Sequence, residues 1–494
     1  MLIYFSFQYQ AIMPPIFEIL QKDCAGRIGR LETRHGIIET PTIMPVVNPN
    51  IQTIKPSELR KFGAQIIITN SYIIYRRPDL RERALKEGLH SLIGFDGPIM
   101  TDSGSYQLSI YGEVEVNNKQ IVEFQQNIGS DIGVPLDIPT PPDVSRMRAE
   151  SELEQTIARE KEALGSRKDM LLAAPIQGSN FADLREKCAR ELSLLDFDVY
   201  PLGAVVPLME SYRFSELVDV IVASKKGLSP AAPVHLFGAG HPMMFSLAVA
   251  LGCDLFDSAS YALYAKDGRY MTTRGTYHIE NLQYLPCSCP ICSSLSAREL
   301  FESEKREELL ARHNLYVTFE EIRVVKQAIQ EGSLWELVEN RCRAHPQLLS
   351  GLKRALSRHS GWIETIQPLS RSTFFYSGPE SSLRPEVLRH RNKLKNLNID
   401  GKVLIRNKRL ENEDEFDRVF DFKPPFGPYP LELKETFPFN AEIVDEPDHE
   451  SLTVALQNTL HLIELNPDSE FTILLDSLPG HPLIKEINNL NSYR

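Results

Sequence analysis

Between residues 60 and 260 the chain alternates between short apolar runs and longer, charge-rich stretches with helical periodicity. The apolar runs are QIIIT (65–69), PIM (98–100), GVPLD (133–137), LLAAPIQ (171–177), DVYPLG (198–203), VHLFG (234–238) and CDLFD (253–257). Three of the helical stretches are SELEQTIAREKEAL (151–164), ADLREKCARELSLL (182–195) and YRFSELVDVIVASKK (212–226). A strand followed by a helix, repeated at spacings of roughly 20 to 40 residues, predicts parallel βα units.

The strands are apolar along their whole length, as expected where helices cover both faces of a parallel sheet. Seven or eight βα units in about 250 residues predict an α/β fold of the closed (β/α)8 TIM barrel type. An open, doubly wound sheet is the alternative. It is disfavoured because no G-x-G-x-x-G motif lies in a first βα turn.

Polar residues and glycines mark the ends of these runs. They are Asp102, Asp137, Gln177, Gly203, Gly238 and Asp257. In a barrel, the carboxyl ends of the strands converge on one mouth, where such enzymes place their sites. A single Asp after a strand is usually a helix N-cap. Three Asp and one Gln at successive strand ends instead favour a functional site.

Three closely spaced cysteines follow the last strand, in the pattern Cys287-x-Cys289-x-x-Cys292. His313 comes 21 residues later, at the end of a predicted helix over 297–312, and a further helix is predicted from about 319 to 330. A Cys3His set closes a tetrahedral shell and leaves no open position, so we expect one structural Zn²⁺. An iron–sulfur cluster is the alternative, but no fourth cysteine is near. For His313 the alternative is an ordinary core or surface position.

The chain has 494 residues, too many for one ordinary domain. We expect an N-terminal extension over 1–13, the barrel with its metal site over 14–364, and a smaller α/β domain over 365–494. Residues 1–12 resemble a short apolar leader that lacks a basic n-region and a small-residue cleavage site. The sequence from Met13 reads as a more natural start. The extension is therefore interpreted either as a real tail or as an incorrectly assigned start.

Composition narrows the setting of the protein. No apolar run reaches the length of a membrane span. Seven cysteines, three of them clustered, favour a reducing cytoplasm over a disulfide framework. The net charge of −12 argues against a general polyanion binder. The nine Lys and Arg residues between 384 and 409 form either a local basic face or a solvated face balanced by the acidic run 411–417.

Together the motifs resemble those of the tRNA-guanine transglycosylase family, in order and spacing, over roughly residues 14 to 350. They are Thr101-Asp102-Ser-Gly-Ser-Tyr106-Gln107, Pro135-Leu-Asp137, Pro175-Ile-Gln177-Gly, Leu202-Gly-Ala-Val-Val-Pro207, Leu255-Phe-Asp257-Ser, and Cys287-x-Cys289-x-x-Cys292 with His313. The Ser-Gly-Ser after Asp102 and the Gly-Ala-Val-Val-Pro at 203–207 are similar to the archaeal branch. The stretch Ser-Gly-Pro-Glu-Ser-x-x-Arg-Pro at 377–385 resembles the extra domain that archaeal members carry after the barrel.

The resemblance implies a pentosyltransferase that replaces guanine at tRNA position 15 by 7-cyano-7-deazaguanine (preQ0), on the way to archaeosine. Exchange of a base at a ribose C1′ with retained configuration needs two displacements, as in retaining glycosidases. By the resemblance, Asp257 is the nucleophile that forms a covalent ribosyl enzyme. Asp102 then protonates the departing guanine and deprotonates the incoming base.

The resemblance also implies the binding residues. Asp137 and Gln177 would bind the edge of the base, backbone groups of Gly203 and Ala204 its other edge, Tyr106 would stack on it, and Arg274 would pair with a tRNA phosphate. Ala204 stands where the family has a second glycine, so that contact tolerates a methyl group or is shifted. The alternatives are a core aromatic for Tyr106 and a surface salt bridge for Arg274.

The expected partners are tRNA, with guanine and preQ0 as small-molecule substrates, a second copy of the chain in a homodimer, and no membrane. Archaeal relatives often end in a basic RNA-binding domain of the PUA type. We recognise none here, so either a separate PUA-domain protein supplies that grip or the remaining domains suffice. Three other functions stay open: queuine-type exchange at the anticodon, a non-catalytic tRNA-binding subunit, and a zinc-bearing barrel hydrolase. The three retained Asp residues disfavour the non-catalytic subunit.

Overall fold

The central element is an eight-stranded parallel sheet in the computed structural model, which describes residues 16–105, 116–476, 478 and 480–492. The expected extension over 1–13 and Tyr106 lie outside these residues. The sheet has the order β8-β7-β6-β5-β4-β11-β10-β9. Its strands are β4 (Thr42–Val47), β5 (Ile67–Asn70), β6 (Ile99–Asp102), β7 (Ile132–Gly133), β8 (Leu171–Leu172), β9 (Tyr200–Leu202), β10 (Val234–Leu236) and β11 (Leu255–Ser258).

The sheet closes on itself. Parallel bridges join Ala173 to Val199 and Ile176 to Leu202, between the segments of β8 and β9. The strands therefore follow one another in chain order around a ring, which confirms the predicted (β/α)8 barrel. All seven predicted runs carry a barrel strand, while the eighth strand, β4, lies outside the stretch that showed the alternation.

Two predicted runs are only partly strand. β7 ends at Gly133 and β8 at Leu172, so Asp137 and Gln177 stand a few residues beyond the regular pairing. Pro135 and Pro175 lie in these segments, and proline has no N–H to donate to a ladder. The two polar residues consequently lie on loops at the barrel mouth rather than at the last strand position.

Helices surround the barrel at most of the crossovers. Those between strands are Ser71–Arg76, Pro78–Glu87, Leu89–Ile93, Asn118–Asn127, Arg146–Leu164, Ala182–Ser193, Val206–Glu210, Phe214–Gly227, Phe245–Ala250 and Ser260–Lys266. The three helices predicted from periodicity match Arg146–Leu164, Ala182–Ser193 and Phe214–Gly227. Short 3-10 helices cover Pro56–Phe62, Pro242–Met244, Ile279–Asn281, Pro379–Leu383, Glu413–Glu415 and Leu431–Leu433.

An antiparallel sheet that the sequence analysis did not predict precedes the barrel. It consists of β1 (Phe17–Asp23), β2 (Gly26–Thr33) and β3 (Gly36–Thr40) in sequential order. Phe17, Leu31 and Ile38 share one buried cluster with residues of the barrel interior such as Met44 and Met100. The sheet therefore closes the end of the barrel opposite to the mouth.

A hairpin and four helices follow the last barrel strand. The hairpin is β12 (Arg269–Thr272) with β13 (Gly275–His278), and the helices are Ala297–Glu302, Arg306–Glu331, Leu334–Cys342 and Pro346–Ile366. The prediction that His313 ends a helix was wrong, because His313 lies about two turns into the helix Arg306–Glu331. The segment 313–318 is largely buried, and packing overrides the weak helix propensity of its Asn, Tyr, Val and Thr.

A smaller α/β unit forms the C-terminal part of the described chain. Its mainly parallel sheet has the order β16-β15-β14-β17, with β14 (Lys402–Arg406), β15 (Arg418–Lys423), β16 (Gly427–Pro430) and β17 (Glu470–Leu474). Its helices are Pro385–Leu394, His449–Leu465 and Pro482–Ser492. A separate core contains Val403, Ile405 and Phe420. The expected boundary at 365 falls in the last turn of Pro346–Ile366, and it stays a proposal.

Three of the nine cations between 384 and 409 are structural. Arg384 pairs with Glu336, Arg389 with Glu364, and Arg406 with Asp421, and all three guanidinium groups are largely buried. These cations therefore hold the fold and are not part of a free basic face. Among the described helices, none is both long and apolar enough to cross a membrane.

Candidate active site

The three strand-end carboxylates and the glutamine meet at the mouth of the barrel. Asp102 ends β6, Asp257 lies in β11, and Asp137 and Gln177 follow β7 and β8. The charges of Asp137 and Asp257 both act on the pKa of Asp102. The Gln177 Nε2 donates to Asp137 Oδ2 at 2.5 Å. Residues separated by up to 155 positions in sequence thus form one polar cluster, as the barrel topology predicts.

Asp102 is positioned and electrostatically tuned by its neighbours. The Asn70 side-chain amide on the adjacent strand donates to its Oδ2 at 2.9 Å. Desolvation, followed by repulsion from the Asp137 charge, raises the pKa of Asp102 to about 7, against the opposing effect of the Gly104 backbone N–H. A carboxyl group with such a pKa can both give and take a proton near neutral pH, which is what a general acid and base requires.

Asp257 is held at one oxygen and free at the other. Its Oδ1 accepts the Gly238 N–H at 2.7 Å and contacts His235 Nε2 at 2.9 Å. His235 is fully buried, and its Nδ1 has no partner among the described residues. Both facts favour a neutral imidazole that donates its Nε2–H to Asp257. Oδ2 receives no hydrogen bond from the described residues, so it is the oxygen available for attack.

Asp137, Gln177 and Gly203 form a cradle beside these groups. Asp137 is buried, and desolvation raises its pKa although Ser105 and Gln177 both donate to it. Gln177 is fully buried, and its Oε1 has no partner in the described part of the chain. A buried acceptor without a donor is costly. The pair therefore offers a carboxylate and an amide oxygen to a ligand that carries several N–H groups.

Gly203 is required by close approach and not by its φ angle. A Cβ at this position would lie 2.1 Å from Gln177 Nε2 and 3.4 Å from Asp137 Oδ2. The next residue, Ala204, has the left-handed φ of +56°. This conformation costs an alanine about 1 kcal/mol or more relative to glycine. The methyl group at 204 is accommodated, whereas one at 203 would occupy the place of the Gln177 amide.

The cysteine cluster lies apart from this cradle. One ligand atom from each of Cys287, Cys289, Cys292 and His313 lies within 4.8 Å of all the others. The two Sγ atoms of Cys289 and Cys292 are 3.4 and 3.3 Å from His313 Nδ1. Three thiolates and an imidazole at such distances can hold one tetrahedral metal ion, and the soft donor set suits zinc.

The surroundings of the cluster orient its histidine. His313 Nε2 lies 2.9 Å from the Met271 carbonyl oxygen, so Nε2 carries the proton and Nδ1 faces the sulfur atoms. Tyr270 stacks on the imidazole with ring centroids 3.7 Å apart, and its hydroxyl contacts Cys292 Sγ at 3.2 Å. All four protein ligands are present, so no coordination position is left for a substrate.

Arg274 lies in the turn between β12 and β13. Its side chain is exposed and makes no hydrogen bond or ion pair with the described residues, so the predicted alternative of a surface salt bridge is not seen there. The backbone N–H of Arg274 donates to the Thr272 hydroxyl oxygen at 3.2 Å, which fixes the turn. A free, exposed guanidinium on a defined turn is suited to a phosphate contact.

His235 and Asn70 were not predicted as site residues, and Gly238 was identified only as the end of a strand. His235 sits inside an apolar strand and looks like a core histidine. In the parallel register it pairs with Leu255, so it has the same side-chain parity as Asp257 two residues later. Asn70 likewise pairs with Asp102. Strand register, once known, would have brought both residues into the site.

Comparisons with known proteins identify a family and several similar sequences. The family model described as queuine tRNA-ribosyltransferase matches residues 23–347. A tRNA-guanine(15) transglycosylase from Methanosarcina barkeri is 63% identical over 476 residues, covering 96% of this chain and 97% of the relative. The Haloarcula marismortui protein of that name is 51% identical over 94% of this chain and 96% of the relative. The one from Methanothermobacter thermautotrophicus is also 51% identical, over 86% of this chain and 67% of the relative.

Proposed function

The chain belongs to the queuine tRNA-ribosyltransferase family, among the archaeal-type tRNA-guanine transglycosylases, and we propose that it exchanges guanine at tRNA position 15 for preQ0. It is a pentosyltransferase that acts on a guanine of tRNA. The observation that carries the proposal is the cluster at the barrel mouth. There, an Asp257 oxygen that receives no hydrogen bond from the described part of the chain lies among groups suited to proton transfer and to base recognition.

In the first displacement, Asp257 Oδ2 attacks the ribose C1′. The bond from C1′ to the base nitrogen breaks as the C1′–O bond forms, and guanine leaves with the electron pair. Asp102, protonated near neutral pH because its pKa is about 7, gives its proton to the departing base. The product is a covalent ribosyl enzyme.

The second displacement reverses these roles. Asp102, now ionised, takes the proton from the ring nitrogen of the incoming base, which attacks C1′ from the face that guanine left. The C1′–O bond to Asp257 breaks and the carboxylate is restored. Two displacements at one carbon retain the configuration, as in retaining glycosidases. His235 and Gly238 donate to Oδ1 throughout and keep Oδ2 aimed at the reaction path.

Base recognition follows from donors and acceptors. Guanine and preQ0 both present N1–H and a 2-amino group on one edge, and the Asp137 carboxylate is a suitable acceptor for that pair. Gln177 Oε1, which lacks a partner among the described residues, accepts a further N–H of the base. Backbone groups of Gly203 and Ala204 bind the opposite edge. We assign stacking on the base to Tyr106.

The target guanine must leave its stack to enter this pocket, so the enzyme is expected to distort the tRNA locally. Phosphate contacts fix the position of the tRNA without reading its sequence. We assign one such contact to Arg274, whose guanidinium is exposed and unpaired within the described residues.

We assign one structural Zn²⁺ to Cys287, Cys289, Cys292 and His313. Bound there, it would fix the segment around β12 and β13 to the helix Arg306–Glu331. Metal analysis of the purified protein, followed by unfolding in the presence of a chelator, tests this role. Activity is expected to fall only together with loss of structure. Rapid and reversible loss of rate in a folded protein would instead indicate an open, catalytic metal.

We further propose that the enzyme works in the cytoplasm, where tRNA is modified, as a homodimer, and that a separate PUA-domain protein assists it in binding tRNA. Light scattering of the purified chain tests the dimer. A monomer at micromolar concentration with full activity would contradict it. The kinetic constant KM for tRNA, measured with and without a basic RNA-binding protein from the same cell extract, tests the assistance.

The experiment that tests the function supplies labelled guanine and, separately, labelled preQ0 to the enzyme with unmodified tRNA. Nuclease mapping of the product is expected to place the label at position 15 alone, and Asp257→Ala to abolish it. Label at the anticodon would show queuine-type exchange instead. Labelling that persists in Asp257→Ala would refute the assignment of the nucleophile.

A further inference from the structure

A second cluster of metal-ligating side chains lies at the end of the barrel opposite to the active site. It consists of His35, His90 and Asp131. His35 is in the turn between β2 and β3, His90 is in the helix Leu89–Ile93, and Asp131 directly precedes β7. The cluster therefore joins the sheet that closes the barrel to the amino-terminal ends of the barrel strands.

The three side chains converge closely. His35 Nδ1 lies 2.8 Å from Asp131 Oδ1, and His90 Nε2 lies 3.0 Å from Asp131 Oδ2. The two imidazole rings are in contact, with centroids 3.7 Å apart and planes tilted by 30°. All three ligand atoms lie within 4.8 Å of one another, so a small displacement of side chains can bring them around one ion.

The carboxylate is fixed before any ion binds. Asp131 Oδ2 accepts the backbone N–H of Ile99 at 2.8 Å, and Oδ1 accepts that of His35 at 3.1 Å. The Asp131 side chain is fully buried, whereas 40% of the His35 side chain and 18% of the His90 side chain are exposed. A rigid buried carboxylate with an exposed imidazole on one side gives an ion both an anchor and a path of entry.

Charge distinguishes this cluster from an ordinary His–Asp contact. No Lys or Arg of the described chain pairs with Asp131, so imidazoles are its only side-chain partners. At Asp219, by contrast, His359 contacts one carboxylate oxygen at 2.8 Å while Arg354 supplies a permanent positive charge. Among the described residues Asp131 therefore lacks the permanent cationic partner that Asp219 has, and a bound cation would supply one.

We propose that His35, His90 and Asp131 bind a second divalent cation of the zinc class. Two imidazole nitrogens and one carboxylate oxygen form a borderline donor set that suits Zn²⁺, Co²⁺ or Ni²⁺. The ion would lie between Asp131 and the ring nitrogens His35 Nδ1 and His90 Nε2. Each imidazole would stay neutral and carry its proton on the other ring nitrogen, Nε2 of His35 and Nδ1 of His90. Water would complete the coordination on the exposed side of His35.

The ion would cross-link separate parts of the chain. It would tie the β2–β3 turn to the helix Leu89–Ile93 and to the start of β7, three parts of the chain that the two His–Asp contacts already join. Residues at the amino-terminal end of such barrels generally serve stability. The site is therefore expected to raise resistance to unfolding without changing the rate of base exchange.

The test titrates Zn²⁺ into the intact protein, with the ion of the cysteine cluster in place, against a chromophoric chelator of micromolar affinity. The wild-type chain is expected to take up one ion beyond that of the cysteine cluster. His35→Ala and His90→Ala should each weaken this uptake at least tenfold, because even outer residues of metal sites contribute that much. His359→Ala, which removes a histidine paired to a carboxylate but not to a second histidine, should leave it unchanged.

A second measurement is the melting temperature with and without added Zn²⁺. An ion that binds only the folded state raises it, so wild type and His359→Ala should gain stability and His35→Ala should not. Circular dichroism verifies that the variants are folded. Uptake of no further ion by the wild type at millimolar Zn²⁺, or equal uptake by His35→Ala, would overturn the proposal and leave a plain His–Asp contact.

Discussion

The close approach of Gly203 to Gln177 allows a quantitative prediction for the substitution Gly203→Ala. The added Cβ would lie 2.1 Å from Gln177 Nε2, well inside van der Waals contact. The Gln177 side chain is the part that can move, so its 2.5 Å hydrogen bond to Asp137 breaks. Loss of a buried hydrogen bond to a charged group costs about 1.5–3 kcal/mol. That cost corresponds to a roughly 10- to 150-fold lower kcat/KM for the base.

The assay is steady-state incorporation of labelled guanine into tRNA at varied guanine concentration, with tRNA saturating. The effect should appear mainly in KM for guanine, because the cradle binds the base and does not react with it. Ala204→Gly is the matched control. It removes a Cβ at the neighbouring position and relieves the left-handed φ of +56°, so it should keep kcat/KM and not lower the melting temperature.

The proposed role of the Gly203–Gln177 contact fails if Gly203→Ala keeps kcat/KM for guanine within twofold of wild type. It also fails if the variant loses affinity for tRNA and guanine equally, since that result would indicate a general distortion of the barrel mouth. Gln177→Ala, which leaves Asp137 without the same donor, should lower kcat/KM by a similar factor, and the double variant should add little, because both changes break one contact.

Four further predictions concern Asp102, His235 and Arg274. Burial and the Asp137 charge raise the pKa of Asp102 to about 7, so single-turnover release of guanine should fall as pH rises through about 7, where Asp102 loses its proton; Asp102→Asn should remove this pH dependence. Because the pKa of Asp102 is raised in the folded state, its favourable contribution to the free energy of unfolding is largest below the unfolded-state pKa of 3.8. This contribution is lost as pH rises to about 7. His235→Ala should lower kcat about 10- to 150-fold with little change in KM, because it removes one buried hydrogen bond to Asp257. An equal loss of kcat in His235→Gln would argue against a positioning role. Arg274→Ala should raise KM for tRNA and reduce the salt slope of binding by about 1, and an unchanged slope would exclude a phosphate contact.

The fold was largely predictable because parallel strands buried on both faces are apolar throughout and stand out between amphipathic helices. The strand β4 escaped notice because it precedes the alternating stretch and carries Pro45. The sheet β1–β3 gave no comparable signal, since only one face of it is buried and its strands contain many charged residues. Packing against the barrel end, which no local pattern shows, is what stabilises it.

The candidate site was predictable where a reactive side chain lies at the end of a strand, as for Asp102 and Asp257. It was not predictable where function depends on register. His235 is one histidine in an apolar run, and only its pairing beside β11 brings it to Asp257. The Gln177 amide likewise occupies space that a side chain at position 203 would fill, and only the three-dimensional structure shows this contact. Tyr106 lies outside the described residues, and its stacking role stays a prediction.

The proposed mechanism depends on a covalent bond between Asp257 and the ribose at the exchanged position. The most direct measurement mixes enzyme with tRNA in the absence of incoming base, quenches in acid denaturant, and digests the adduct for peptide mapping by mass spectrometry. This mechanism predicts a ribosyl adduct on the peptide that contains Asp257, no adduct in Asp257→Ala, and a slowed but detectable adduct in Asp102→Asn. An adduct of wild-type yield in Asp257→Ala, or one that maps to Asp102, would contradict it.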